Sequence, residues 1–149
     1  MDILFVCTGN TCRSPMAEGI LRDRIKNDKI KIDSAGIFAD KGSPVSQNAL
    51  RALGERGIDL SGHRSKSMTD LDLDAFDLIL TMTKSHKAWI LQNFKHLEHK
   101  VFTLKEYNSQ KGAADILDPF GGDLREYRRC AKEIEENMDK LILFLKTAT

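Results

Sequence analysis

An apolar, β-branched run, Ile3-Leu4-Phe5-Val6, delivers a cysteine straight into the loop Cys7-Thr8-Gly9-Asn10-Thr11-Cys12-Arg13-Ser14, and this junction constrains the fold most. A short continuous apolar run reads as a strand buried on both faces. Ser14 suits a helix N-cap and Pro15 the first helical position, so the junction reads as strand, loop, helix. Successive N–H groups of such a turn converge on one point with the positive helix end behind them, which suits a phosphate or arsenate dianion. A free thiol pKa of roughly 8.5 falls sharply at a helix N-terminus or beside Arg. Cys7 as a plain core residue is the bland reading, because free cysteine is commonly buried. Gly9, Asn10, Arg13 and Ser14 around it point instead to a nucleophile, an anion cradle and a fixed guanidinium, and so to enzymatic phosphate chemistry.

The chain of 149 residues reads as one domain over 1–149, long enough to bury roughly 68–70% of its unfolded surface. Its 41% hydrophobic and 30% charged content is that of a globular protein. A net charge of +1 gives no electrostatic reason to expect a nucleic-acid or membrane partner, and Arg128-Arg129 reads as a solvated helix face. The first residues already read as a strand, so no leader is expected. No apolar stretch approaches the roughly 20 residues of a membrane span. Three cysteines, one of them needed as a thiolate, argue against a disulfide scaffold, and the expected location is the cytoplasm.

Strand and helix patterns alternate along the chain. Ile3–Val6, Lys29–Ser34, Asp77–Met82 and Val101–Leu104 read as strands. Residues 15–26, a segment from Ser43-Pro44 to a stop at Gly57, and Lys84–Phe94 read as helices. Leu124, Tyr127, Ala131, Ile134, Met138, Leu141 and Leu145 recur at steps of three and four, the apolar face of a long last helix. The expected fold is α/β: a four-stranded parallel twisted sheet with helices on both faces, a flavodoxin-like three-layer arrangement. The longest irregular stretches are 36–43, 60–70 and 108–122. Ligands of such sheets bind beyond the carboxyl ends of the strands, where Cys7 falls.

Expelling a poor leaving group from phosphorus needs a proton donor. Asp118, in Asp118-Pro119-Phe120-Gly121-Gly122, is the candidate, with Asp115 as its competitor and Phe120 as an apolar wall; a plain turn before the last helix is the alternative. His96 and His99 lack partners for a metal site, and His63 and His86 read as surface or hydrogen-bonding residues. No metal and no cofactor is indicated. Cys12 is either a small filler at the loop base or a redox partner that could trap oxidised Cys7 as a disulfide. Cys130 lies beside the apolar stripe of the last helix and reads as inert.

The motifs CTGNTCRSP at 7–15, SAG at 34–36, the strand 77–82 and DPFGG at 118–122 together resemble the low-molecular-weight protein tyrosine phosphatases. The resemblance covers nearly the whole chain. It implies a two-step reaction in which Cys7 forms a phosphocysteine, Arg13 and the amides of Thr8 through Ser14 hold the phosphoryl oxygens, and Asp118 acts as acid and then base. It implies also that Ser14 bonds the thiolate and that Asn10 keeps the loop in shape. Two positions depart from the family pattern: Thr11 replaces a bulky aliphatic residue, and Phe120 replaces a tyrosine wall. Thr11, DPFGG and Val101-Phe102-Thr103-Leu104-Lys105-Glu106-Tyr107 resemble more closely the bacterial protein arginine phosphatases, which counteract a protein arginine kinase. Phosphoarginine on proteins is thus the expected substrate, with phosphotyrosine as the alternative and arsenate reduction or a phosphocysteine carrier below it. The expected partners are phosphorylated proteins, and the expected state is a monomer.

Overall fold

A computed structural model of the chain describes residues 1–27, 29–108 and 115–148, with side chains described through Leu145. Strand β1 (Asp2–Cys7) lies between β2 (Lys31–Gly36) and β3 (Leu78–Thr81), and β4 (Val101–Thr103) borders β3. All pairings are parallel and the order is β2-β1-β3-β4. The chain steps to one side of β1 and then to the other. The strand order therefore reverses at the carboxyl end of β1, the crevice where such sheets bind ligands.

Alternating side chains of β1 serve two cores, as the period of two demands. Ile3 and Phe5 pack with helices α1 (Arg13–Arg24), α2 (Gln47–Gly54) and α5 (Leu124–Ala148). Leu4 and Val6 face the opposite side, against α3 (Lys84–Asn93) and the 3₁₀ turns Met68–Asp70, Leu73–Ala75 and Lys95–Lys100. No helix among the described residues is long and apolar enough to cross a membrane.

Strand β2 runs Lys31–Gly36 where Lys29–Ser34 is expected, and two helix starts and one additional helix also differ from the sequence expectation. Helix α1 begins at Arg13, so Ser14 is its second residue and not its cap; Cys12 takes the cap position without a side-chain bond. Pro15, the third residue of α1, is tolerated within the first turn because the first N–H groups of a helix have no intrahelical acceptor. Helix α2 starts at Gln47, capped by Ser46, and not at Ser43. Ser43 is tied to Ser65 by backbone and hydroxyl bonds, which hold that segment out of the helix. Helix α4 (Leu104–Tyr107) was unforeseen, although its capping box, Thr103 with Glu106, is a readable S/T-x-x-E signal. Of the expected irregular stretch 108–122, residues 109–114 lie outside the described residues.

Candidate active site

The site is built from the loop that β1 feeds into α1. Five of its carbonyls accept bonds from outside: Cys7 from Ile37 N–H, Thr8 from Phe38 N–H, Thr11 from Ser46 N–H, Cys12 from Met16 N–H, and Asn10 within 2.9 Å of His63 Nε2. In a trans peptide the N–H of the next residue points opposite to each carbonyl. The N–H groups of Thr8, Gly9, Thr11, Cys12 and Arg13 are therefore turned inward. Asn10 makes this wrapping possible with φ of 57°, a left-handed conformation that asparagine tolerates better than most residues.

The sequence motif SAG explains itself at this point. Gly36 pairs with Cys7 across the sheet, and a Cβ there would lie 2.5 Å from the Thr8 carbonyl oxygen and 3.0 Å from Asn10 N. Only glycine lets the neighbouring strand and the loop approach so closely.

Cys7 Sγ lies 2.8 Å from Ser14 Oγ. The Asn10 amide donates one hydrogen to Ser14 Oγ and the other to Ser34 Oγ, each at 2.9 Å. The Ser34 hydroxyl donates a hydrogen bond to Glu18 at 2.6 Å, and Glu18 pairs with Arg22 at 2.7 Å. The Asn10 carbonyl oxygen of the side chain accepts from Lys66 N–H at 3.0 Å. Both ends of the Asn10 side-chain amide are thus bonded, which fixes the loop.

Arg13 is buried, and Nη1 donates to the Ile116 carbonyl at 2.9 Å while Nη2 lies 3.5 Å from Asp118 Oδ2. The Asp118 loop is itself anchored, because Ile116 N–H donates to the Met82 carbonyl just beyond β3. Asp118 is oriented at both oxygens: Oδ1 accepts from Phe120 N–H at 3.0 Å, and Oδ2 faces Arg13. Its side chain is 49% exposed, open to a bound substrate. Cys7, Thr8, Gly9, Thr11, Cys12, Arg13, Asp118 and Phe120 line one cleft of about 210 Å³. Asn10 and Ser14 support it from beneath. Phe120 is 77% exposed and stands at the mouth as a wall.

Asp115, the competitor for the acid position, is placed elsewhere: its Oδ1 accepts from Lys84 N–H at the start of α3. Cys12 Sγ sits between Ser46 Oγ at 3.4 Å and Tyr127 OH at 3.3 Å. Burial pushes the Tyr127 phenol up to about 12, so it stays neutral. Burial likewise pushes the Cys130 thiol up to about 12. Of the two readings open for His63 and His86, both are hydrogen-bonding residues: His63 meets the Asn10 carbonyl and His86 meets Thr8, partners the sequence does not name. His86 is buried, not on the surface. Both pairs are separated by more than fifty residues, and no local pattern announces them.

The family described as low molecular weight phosphotyrosine protein phosphatase matches residues 2–149, and this chain belongs to it. A protein-arginine-phosphatase of Bacillus subtilis (strain 168) is 42% identical over 148 residues, covering 98% of this chain and 97% of that protein. The tyrosine phosphatase PtpB of Staphylococcus aureus is 43% identical over 141 residues, covering 95% and 96%. The solved structure of YwlE arginine phosphatase from Geobacillus stearothermophilus superposes with a TM-score of 0.91 at 41% identity, covering 99% of this chain and 94% of that one.

Proposed function

We propose that this chain hydrolyses phosphoarginine on proteins through a phosphocysteine formed on Cys7, counteracting a protein arginine kinase. The observation that carries the reading is the convergence of Cys7, Arg13 and Asp118 on one cleft lined by Thr11. The Cys7 sulfur attacks phosphorus while Arg13 and the inward N–H groups hold the equatorial oxygens. Asp118 gives a proton to the departing guanidine nitrogen as the P–N bond breaks. It then takes a proton from the water that attacks phosphorus, and the bonding pair returns to sulfur. Ser14 donates to the sulfur, and Asn10 holds Ser14.

Thr8, Gly9, Thr11 and Cys12 form the floor and Phe120 one wall. A hydroxyl at Thr11 offers a polar contact to a planar, donor-rich leaving group, where an aliphatic residue would favour a phenyl ring. The acting form on this reading is a monomer in the cytoplasm, with phosphorylated proteins as partners.

Phosphotyrosine is the second reading, favoured by the 43% identity to PtpB, which nearly equals that to the arginine phosphatase. Overall identity does not separate the two, so Thr11 carries the choice. An arsenate reductase needs further thiols to carry oxidation away, and Cys130 is buried with its thiol pushed up to about 12. A phosphocysteine carrier must prevent hydrolysis and gains nothing from Asp118 beside Arg13.

Steady-state kinetics on a phosphoarginine peptide, a phosphotyrosine peptide and an aryl phosphate decide the matter, with Cys7→Ser as the inactive control. The expected result is the highest kcat/KM on phosphoarginine and a lower ratio of phosphoarginine to phosphotyrosine kcat/KM in Thr11→Ile. An unchanged ratio in Thr11→Ile would remove the argument for phosphoarginine.

A further inference from the structure

His86 lies in the first turn of α3 and is 4% exposed. Its Nε2 lies 2.9 Å from Thr8 Oγ1, across 78 residues of sequence. Its other ring nitrogen, Nδ1, is buried and has no hydrogen-bond partner among the described residues. Leaving a buried polar atom unpaired costs stability, so packing alone would favour an apolar residue at this position. The ring instead commits one nitrogen to Thr8, a residue that lines the cleft.

Thr8 is exposed and lines the same cleft as Thr11, Asp118 and Phe120. A hydroxyl oxygen has two lone pairs, and a neutral imidazole has one donor and one acceptor. Whichever ring nitrogen carries the proton, Thr8 Oγ1 keeps at least one lone pair free of His86. The histidine also fixes the rotamer of a threonine that would otherwise be free on an exposed loop. Burial first, and the Arg13 charge second, push His86 down to about 4, so the ring is neutral at working pH.

We propose that His86 is a positioning residue that fixes the Thr8 hydroxyl as an acceptor for leaving-group N–H groups, so that the pair selects a phosphoguanidinium over an aryl phosphate. The inference rests on the phosphoarginine reading and names a further specificity determinant of that site. A guanidinium leaving group presents several N–H donors to such an acceptor. The leaving oxygen of an aryl phosphate presents none, and so the contact discriminates between the two without touching the phosphoryl group.

The test is the ratio of kcat/KM on a phosphoarginine peptide to that on p-nitrophenyl phosphate, in wild type, Thr8→Val, His86→Leu, the double variant and His86→Gln. The ratio is expected to fall roughly tenfold in each single variant, the size of one lost hydrogen bond. It falls no further in the double variant, because the two residues act through one contact. His86→Gln, which keeps an amide able to bond Thr8, recovers most of the ratio. A Thr8→Val ratio within twofold of wild type overturns the inference, as do single effects that multiply in the double variant. Should His86→Leu fail to fold, the exposed Thr8→Val decides alone. A wild type that prefers phosphoarginine beside an unmoved Thr8→Val ratio sinks this inference only; a wild type active on the aryl phosphate but not on phosphoarginine sinks the phosphoarginine reading as well.

Discussion

Two acceptors compete for the Ser14 proton: the Cys7 sulfur at 2.8 Å and the Ala35 carbonyl at 3.4 Å. Because Asn10 already donates into Ser14, one lone pair is filled and the proton is free to go to the nearer acceptor. The same Asn10 amide feeds Ser34, whose hydroxyl donates to Glu18. One side chain therefore drives two hydroxyls, one toward the sulfur and one toward a carboxylate. Removing the hydroxyl in Ser14→Ala deletes a bond to a developing or departing thiolate, a loss of about 1.5–3 kcal/mol for a bond to a charged group. Converted to rate, kcat falls between about tenfold and a hundredfold, with KM altered less. Stopped-flow or steady-state kinetics check this, and a kcat equal to wild type would show that Ser14 only packs. Cys7, Arg13, Ser14 and Asp118 were legible in the chain because their chemistry is local or motif-borne. Glu18, Ser34, His63 and His86 were not, because their roles come from contacts made across the sheet and between loops.

At the scale of elements, the strands and helices follow from periodicity, but where each helix begins is decided by tertiary bonds. Ser14 looks like a cap in sequence, yet its hydroxyl is taken by the cleft, and α1 starts two residues earlier than Pro15. Ser43 looks like a helix start, yet Ser65 holds it, and the cap falls to Ser46. The sheet edge shows the converse, a local residue choice forced by its neighbours. At Gly36 an added Cβ would meet the Thr8 carbonyl oxygen at 2.5 Å and Asn10 N at 3.0 Å, both backbone atoms of the cleft loop. Neither can move aside as a flexible side chain would. Gly36→Ala is expected to destabilise by about 1–3 kcal/mol, the usual cost of overpacking. The melting temperature drops by several degrees, at about 2–4 °C per kcal/mol for a chain of this size. Activity falls by more than stability explains, because the displaced atoms belong to the loop around Cys7. A thermal melt and kcat/KM measured together test it; an alanine variant with wild-type melting and turnover would show that the loop yields freely.

For the whole molecule, the parallel sheet draws the chain's distant parts to one point, and His86 shows what that gathering costs. The fold closes around α3, the cleft loop and Arg13 together, so the His86 ring is buried beside a guanidinium and its pKa is pushed down from 6.5 to about 4. In the unfolded chain the same ring regains its ordinary value near 6.5. Between pH 6.5 and pH 4 the unfolded state binds a proton that the folded state refuses. Stability changes with pH in proportion to the protons bound by the unfolded state minus those bound by the folded state. That difference is positive here, so stability rises with pH through this window and is lost as pH falls. Above pH 6.5 neither state binds the proton, and the contribution is flat. A shift of this size corresponds to about 2–3 kcal/mol lost by pH 4. Surface ion pairs such as Arg56–Glu135 are partly exposed and contribute little to the same curve. The informative quantity is the difference between wild type and His86→Gln, which carries no titrating ring at that position. Chemical denaturation from pH 7 to pH 4.5 should show the wild type losing stability faster than the variant as acid is added. Parallel curves would mean that the ring is protonated as readily in the folded protein as in the unfolded chain.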